Sequence, residues 1–405
     1  MTTTLISFLG AGNYTETTYV FGDDRHATCY MTEAAAHFFR PDRLLVIVTV
    51  QARDKHLDAL CARVGDALTP VPVLIPSGQS EAEQWAMFTR IAEEIAPGDE
   101  IIFDITNGFR SIPVIALLVA AYVRVVRHAT VRHLIYGAFD AKNAQNETPV
   151  FDLTPLVSLL DWTTATEAFL RYGRADALRD LVSSSASLDK SGPSAAHQLS
   201  ARLGDLTSAL QTSRPAEVMQ TAIGLPADLA AFRAAQQPGA HGNEPLSLLL
   251  TTIEGEYARI GHARPHDRTL GGEVLIKQLE MIEWYAQKQL YIQAFTLTRE
   301  WLISVVLAEG NLDLYGEDER WLAEAAINRY PTTNQRPPRA VPLDLQQAGK
   351  QPVLQQLWAR CRRLRNDLAH AGMSGGAKRA LDVEHEVRAV CAQLRPALRS
   401  LGYPV

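Results

Sequence analysis

The first 155 residues alternate short apolar runs with segments of helical periodicity. Five apolar runs have the length and β-branched content of buried strands, at residues 5–9, 44–50, 71–75, 101–105 and 131–136. Helical patterns separate several of them, at residues 54–68, 81–95 and 112–126. Strands that are apolar throughout and alternate with helices are typical of a parallel sheet covered on both faces. The pattern predicts a Rossmann-like α/β domain over residues 1–155, with a hairpin inserted at residues 18–31.

The remainder of the chain has a helical pattern. Residues 156–270 are weakly patterned and predict a helical connector, whereas residues 271–405 show clear amphipathic stripes and predict a separate helical domain. One such stripe comprises Leu354, Leu357, Cys361, Leu364, Leu368 and Ala371. The expected fold class is therefore α/β followed by all-α.

Composition and charge narrow the functional classes. The 405 residues are 47% hydrophobic and 21% charged, which is typical of a globular chain and excludes a wholly disordered one. The longest uncharged apolar run, residues 111–123, is shorter than the roughly 20 residues that a bilayer requires, so no membrane partner is expected. Four scattered cysteines without metal-ligand spacing predict no metal site and a cytoplasmic location. The net charge is −6, yet residues 351–405 hold 9 Lys and Arg against 4 Asp and Glu.

The ends of the predicted strands carry small, amide and hydroxyl residues. In an open parallel sheet, ligands bind beyond the carboxyl ends of the strands. Because this domain is acidic overall, an anion there would be held by backbone N–H groups, helix N-termini and local cations. Residues at these strand ends include Gly10, Gly12, Asn13, Ser77, Gly78, Thr106, Asn107, Gly108 and Arg110.

A second cluster of chemically capable residues lies in the basic C-terminal segment. Helical geometry places Asn366 and His370 on one polar face, flanked by arginines, while Arg365 lies at the edge of the apolar stripe. Histidine can exchange protons at neutral pH, and arginine can stabilise charge on a phosphate. These residue types suit RNA cleavage by attack of the 2′-hydroxyl, in which histidine would transfer a proton, arginine would bind the phosphate and asparagine would orient one of these groups.

The two ends together resemble a known family, the CARF–HEPN ancillary ribonucleases of type III CRISPR systems. At the N-terminus the resemblance depends on FLGAGNY (residues 8–14), SGQSEAEQW (77–85) and DITNGFRSIP (104–113). At the C-terminus RNDLAH (365–370) matches the HEPN pattern R-[N/D/H]-x3-H. The chain departs from the family at Asn107, where relatives usually carry His.

This resemblance implies a CARF homodimer, possibly assembling further, that binds a cyclic oligoadenylate, most often cyclic tetra-adenylate. Ligand binding would activate cleavage of single-stranded RNA in the HEPN dimer without a metal or another cofactor. The resemblance assigns Arg365, Asn366 and His370 to catalysis and the nine strand-end residues to ligand binding.

Other functions stay open. The chain could be a ligand-responsive regulator that binds nucleic acid without cutting it. The sensor domain could also cleave its own cyclic ligand, with Asn13, Thr106 and Asn107 positioning a ribose 2′-hydroxyl. A dinucleotide-dependent oxidoreductase is disfavoured because the GAG turn lacks the third glycine of the dinucleotide-binding fingerprint.

Overall fold

The fold is known from a computed structural model, which describes residues 2–65, 68–185, 194–235, 243–328, 341–369, 371–373 and 377–405. Side chains at Asn243, Glu244, Arg365, Asn366 and Ala369 are not among the described atoms. The chain divides into two compact units, Met1–Leu160 and Asp161–Val405.

The first unit contains one eight-stranded sheet. Its strands are β1 (Thr3–Leu9), β2 (Thr17–Phe21), β3 (Asp24–Thr28), β4 (Arg43–Val48), β5 (Pro70–Leu74), β6 (Glu100–Asp104), β7 (Thr130–Gly137) and β8 (Glu147–Asp152). Their spatial order is β3-β2-β8-β7-β6-β1-β4-β5. Strands β7, β6, β1, β4 and β5 are parallel, and β8 pairs antiparallel to β7. Strands β2 and β3 form the predicted hairpin, which extends the sheet through β8. Its second strand was predicted at residues 28–31 but ends at Thr28, and a helix begins at Met31.

Helices cover both faces of this sheet. They are α1 (Met31–Phe39), α2 (Val50–Ala52), α3 (Asp58–Val64), α4 (Glu81–Glu93) and α5 (Ile112–Val126), with a π-helical turn at Arg53–Leu57 between α2 and α3. Neighbouring strand residues point to opposite faces, so Leu5 packs with α1 and α3 whereas Ile6 packs with α4 and α5. The predicted doubly wound sheet is confirmed.

Several element boundaries differ from the sequence prediction. Strand β4 ends at Val48 rather than at residue 50, because the Thr49 side chain accepts a hydrogen bond from the Ala52 amide and starts α2. Helix α1 and strand β8 were not predicted. The predicted helix over residues 54–68 ends at Val64, where Gly65 adopts a left-handed φ of 80°.

The second unit is helical throughout its described regular structure. Its helices are α6 (Thr154–Tyr172), which begins in the first unit, α7 (Asp176–Ser184), α8 (Ala195–Gln211), α9 (Pro215–Ala235), α10 (Asn243–Tyr257), α11 (Gly271–Gln287), α12 (Tyr291–Glu309), α13 (Glu317–Asn328), α14 (Leu343–Gly349), α15 (Pro352–Ala369) and α16 (Ala380–Ser400). The predicted α/β then all-α order of fold classes is confirmed.

The predicted boundary at residue 270 does not coincide with a division of the structure. Helices on both sides of it share one hydrophobic core. The Tyr285 hydroxyl donates to the Leu210 carbonyl at 2.7 Å, and the Tyr257 ring lies 5.9 Å from that of Trp284. The boundary predicted near residue 155 lies close to the observed division after Leu160. The separation of a connector from a third domain stays a prediction.

Candidate functional site

A cavity of about 790 Å³ lies at the carboxyl ends of the parallel strands in the first unit. It is formed by the loops that follow β1, β4, β5, β6 and β7. This is the position at which open α/β sheets bind ligands. The structure brings seven of the nine predicted ligand-binding residues to its wall: Gly10, Gly12, Asn13, Ser77, Thr106, Asn107 and Gly108.

Gly78 and Arg110 do not line the cavity. Gly78 has a φ of +75°, and a Cβ at this position would lie 2.8 Å from Cε of Met87. The Gln84 side chain donates to the Gly78 carbonyl at 2.8 Å, so Gly78 shapes the turn that leads into α4. Arg110 is exposed in the loop before α5.

A buried hydrogen-bond network supports the cavity floor. The Asp104 carboxyl at the end of β6 is fully buried, and it accepts from the Ser7 hydroxyl at 2.6 Å and from the Thr106 amide at 3.0 Å. The Thr106 hydroxyl accepts from the Gly137 amide at 2.8 Å. Burial raises the pKa of Asp104. Because the Thr106 side chain is bonded within the protein, its main contribution is to fix the β6 and β7 loops relative to each other.

Two tyrosines that the sequence analysis missed belong to this cavity. The Tyr14 hydroxyl accepts from the Gly10 amide at 2.8 Å and donates to the Gly10 carbonyl at 3.1 Å. Burial raises its pKa to about 12. Tyr14 belongs to the GAGNY segment, so the strand-end rule could have found it.

Tyr19 lines the cavity from β2 and is only 4% exposed. Its hydroxyl has no hydrogen-bond partner among the described residues. Burial raises its pKa, so the phenol stays protonated and can donate a hydrogen bond into the cavity. No sequence signal marked Tyr19, because the hairpin reaches the cavity only through the pairing of β2 with β8.

The described wall of the cavity carries no lysine or arginine. Asp140 is its one charged residue among those described. An anionic ligand bound to this wall would therefore be held by amides, hydroxyls and carboxamides, as the acidic composition of the domain predicts. The orientation of backbone N–H groups becomes the main electrostatic feature of the site.

The second candidate site lies at the end of α15. Arg365 and Asn366 are within this helix, but their side chains lie outside the described residues, as does the whole of His370. The structure thus locates the backbone of two of the three predicted catalytic residues and leaves their side-chain geometry undescribed. The apolar stripe is buried at Leu354, Leu357, Cys361 and Leu364, whereas Leu368 is partly buried and Ala371 is exposed.

Most described cations of the C-terminal segment are already engaged. Arg395 pairs with Glu283 at 2.7 Å, and Lys378 pairs with Glu386 at 2.8 Å. Arg360, Arg379, Arg388 and Arg399 also hydrogen-bond to protein groups. Arg362 and Arg363 of α15 are exposed and contact no described acid. These two arginines are the free described cations nearest in sequence to Arg365.

Arg299 of α12 supports α15. Its guanidinium lies 5.5 Å from the centre of the Trp358 ring and pairs with Glu324 at 2.6 Å and with Glu300. Trp358 is two turns before Arg365 on the same helix. Arg299 is therefore a partly buried structural link between α12, α13 and α15.

The described residues offer neither a membrane-spanning helix nor a metal-binding cluster. None of their helices is long and apolar enough to cross a membrane. They also contain no group of three or more His, Cys, Asp or Glu side chains arranged to hold a metal ion.

Comparison with known proteins gives matches in both units. Residues 4–140 match the family model of the CARF domain of the CRISPR system endoribonuclease Csx1. Residues 158–262 match the model of the second domain of the CRISPR-associated protein MJ1674. MJ1674 of Methanocaldococcus jannaschii is 29% identical over 100 residues, which are 25% of this chain and 16% of that protein. The match therefore spans about a sixth of the relative's length.

A solved structure, Enterococcus italicus Csm6 bound to cyclic hexa-2′-fluoro-hexa-dAMP, superposes over 99% of this chain and 94% of that chain. The TM-score is 0.40 and the identity is 13%, a likeness too weak to support a conclusion about function. The domain matches confirm the predicted resemblance to the CARF-containing ancillary effectors of type III CRISPR systems.

Proposed function

We propose that the chain is a ribonuclease activated by a cyclic oligoadenylate. The expected ring is cyclic tetra-adenylate. The ligand would bind in the strand-end cavity of the first unit, and Arg365, Asn366 and His370 would cleave single-stranded RNA without a metal ion. The observation that carries the sensor half is the convergence of seven predicted residues on one 790 Å³ cavity in a segment that matches a CARF domain.

The proposed nuclease activity depends on the RNDLAH pattern and on the residues that surround it in α15. Arg365 lies on a helix whose preceding turn exposes Arg362 and Arg363 without described acidic partners. Free guanidinium groups can bind the phosphates of an RNA strand. His370 would exchange the proton of the attacking or leaving oxygen, because histidine is the side chain best suited to proton transfer near neutral pH.

A homodimer through α5 fits this function. Val114, Leu118, Tyr122 and Val125 form one exposed apolar face of the helix, with exposed fractions from 45% to 75%. The face continues onto α4 through Phe88, whose ring lies 5.3 Å from that of Tyr122. Contiguous exposed apolar surface is typical of an interface. Helix α5 directly follows the cavity loop of residues 106–109, so a second copy on this face would lie beside the cavity.

The ligand's own shape favours a second copy as the occupant of the α5 face. Cyclic tetra-adenylate has two-fold symmetry, and it is larger than the drug-sized molecules that fill cavities of about 300–1,000 Å³. One cavity of about 790 Å³ would hold only part of the ring. A two-fold dimer would offer two such cavities to one ring.

The deciding experiment measures cleavage of a fluorescent single-stranded RNA in EDTA, with and without cyclic tri-, tetra- or hexa-adenylate. We expect cleavage with one ring and no cleavage without it. RNA that stays intact with every ring, although one ring binds, would contradict the nuclease and favour a regulator that cuts nothing. Analysis of the ring after incubation would show whether the sensor also cleaves its ligand.

A further inference from the structure

The loop of residues 10–13, which forms one wall of the cavity, is held in place by Lys55. Nζ of Lys55 lies 2.9 Å from the Ala11 carbonyl oxygen, 3.2 Å from the Gly12 carbonyl oxygen and 2.8 Å from Oδ1 of Asn13. An ammonium group has three N–H donors, so these contacts can use all of them. Lys55 does not line the cavity, and it therefore acts on the loop rather than directly on a ligand.

Two further side chains complete this support. Nε2 of His56 lies 2.7 Å from the Gly12 carbonyl oxygen, which makes this nitrogen the proton donor. The Tyr14 hydroxyl donates to the Gly10 carbonyl, and the His56 ring packs against the Tyr14 ring at 4.7 Å. All three carbonyl oxygens from Gly10 to Gly12 are thus bound by side chains of the protein.

The local backbone explains why two consecutive residues reach the same loop. Lys55 and His56 belong to the π-helical turn Arg53–Leu57, which interrupts the helix after β4. A π turn is wider than an α turn and is frequently found at functional sites. No apolar period or glycine motif in the sequence marks it.

The geometry of the peptide bond relates these contacts to the direction in which the N–H groups of the loop point. In a trans peptide the C=O and the following N–H point in opposite directions. Because the carbonyls of Gly10, Ala11 and Gly12 face their side-chain partners, the amides of Ala11, Gly12 and Asn13 face the other way. None of these three N–H groups donates to a described residue. Successive free amides can bind an anion where they converge, and no described cation lies on the cavity wall to compete with them.

We propose that Lys55 is a positioning residue, which orients the amides of residues 11–13 toward a phosphate group bound in the cavity. This inference rests on the proposed function for the identity of the ligand, but the phosphate chemistry can be tested separately. Lys55 also places one positive charge directly behind amides that would face the anion. The adjacent residue, His56, also holds the loop, through its contact with the Gly12 carbonyl oxygen.

The test compares Lys55→Met with Lys55→Arg in the full chain. Isothermal titration with cyclic tri-, tetra- and hexa-adenylate identifies the ring that the wild type binds. We expect Lys55→Met to weaken its binding roughly 10- to 100-fold, the order of a hydrogen bond to a charged group. Lys55→Arg keeps charged donors and should restore most of the affinity. Arg132→Met is the matched control, because Arg132 pairs with Glu100 at the amino-terminal end of the strands.

A second readout separates positioning from a general structural role. With saturating ring, the maximal RNA cleavage rate of Lys55→Met should equal that of the wild type, while the ring concentration needed for half-activation rises. Circular dichroism checks the fold, and Lys55→Gln replaces Lys55→Met if the latter fails to fold. Binding by Lys55→Met or Lys55→Gln within about twofold of the wild type would overturn the inference.

Inorganic pyrophosphate makes the outcome independent of the proposed function. If the wild type binds none of the rings, the proposed function fails, and titration with pyrophosphate decides the role of Lys55. Weaker pyrophosphate binding by Lys55→Met than by Arg132→Met would support the inference. Equal binding by both variants, or no binding of rings and pyrophosphate by the wild type, would refute it.

Discussion

The two units present their candidate sites in opposite ways. The cavity of the first unit is assembled from loops after five strands, which are separated by as many as 130 positions between Gly10 and Asp140. The catalytic candidates of the second unit fall within six consecutive positions, from Arg365 to His370. The residues of such a dispersed site come together only in the folded chain. The structure therefore identifies the cavity residues that the sequence did not predict. A motif of consecutive residues can be identified from the sequence alone, together with the side chains on which its chemistry depends.

The electrostatics of the two units also differ from what net charge predicts. The first unit is acidic, yet its cavity wall is nearly neutral, with Asp140 as the single charged residue described there. The C-terminal segment is basic, yet most of its described cations pair with acids or carbonyls. At both candidate sites the described groups available to a phosphate are few. They are backbone amides on the cavity wall, and Arg362 and Arg363 in the C-terminal segment.

The largest expected effect separates the two sites. His370→Ala should lower RNA cleavage at least 100-fold, because a positioned acid or base contributes on the order of 10²–10⁴-fold. The affinity for the activating ring should not change, since the cavity is formed by the first unit. Gel assays of cleavage and titration of the ring measure the two properties. Arg399→Ala, at the end of α16, is a control for removing a cation from the same segment. A variant that cleaves at the wild-type rate would remove His370 from the mechanism.

The next effect concerns the surface that would join two sensors. Leu118→Asp places a charge in the middle of the exposed apolar face of α5 and should weaken a homodimer about 10- to 100-fold, because a charge without a partner is unfavourable in an apolar interface. Sedimentation equilibrium at several concentrations measures the dissociation constant. Leu248→Asp changes a leucine of α10 that is 71% exposed and should have no such effect. Equal dimerisation of both variants would exclude the α5 face as the interface.

The sequence predicted most of the first unit because its apolar runs and helical periods are long. The parallel strands and helices α4 and α5 depend on such local patterns, and they were found within a few residues of their bounds. Strand β8 was missed because its alternation is short and its pairing with β7 and β2 is tertiary. Seven cavity residues were predictable from one rule about strand ends.

The cavity residues that the sequence did not predict were missed for the same structural reason. Tyr19 reaches the cavity through a hairpin that is ordered by β8, and Lys55 reaches the Gly10 loop through a π turn. Neither arrangement leaves a period or a motif in the sequence. In the second unit, Leu357 and Cys361 were correctly assigned to the core by their 3.6-residue spacing. That core is shared across residue 270 because Tyr285 packs on α8, a contact that no local pattern encodes.

A pH-dependent effect tests the buried network of the first unit. The pKa of Asp104 is raised in the folded state, so the carboxyl stabilises the fold at low pH and loses this contribution as the pH rises through the folded pKa. Asp104→Asn cannot ionise. Relative to this variant, the wild type should therefore lose stability as pH increases, by at most about 1.4 kcal/mol per pH unit for one proton. Hydrogen exchange of β6 amides between pH 5 and 8, corrected for intrinsic rates, measures the difference. A constant difference across this range would mean that unfolding does not change the protonation of Asp104 there.

The smallest expected effect tests whether the ligand bound in the cavity reaches Tyr19 of β2. Tyr19→Phe removes one hydroxyl from a ring that is 4% exposed and leaves its packing intact. A neutral hydrogen bond contributes about 1 kcal/mol, so the affinity for the activating ring should fall roughly fivefold. Tyr172→Phe, at the end of α6 in the second unit, is the matched control. Unchanged affinity in Tyr19→Phe would mean that the ligand contacts the strand-end loops without reaching β2. The site would then consist of amide-bearing loops alone, and the hairpin would serve only to extend the sheet.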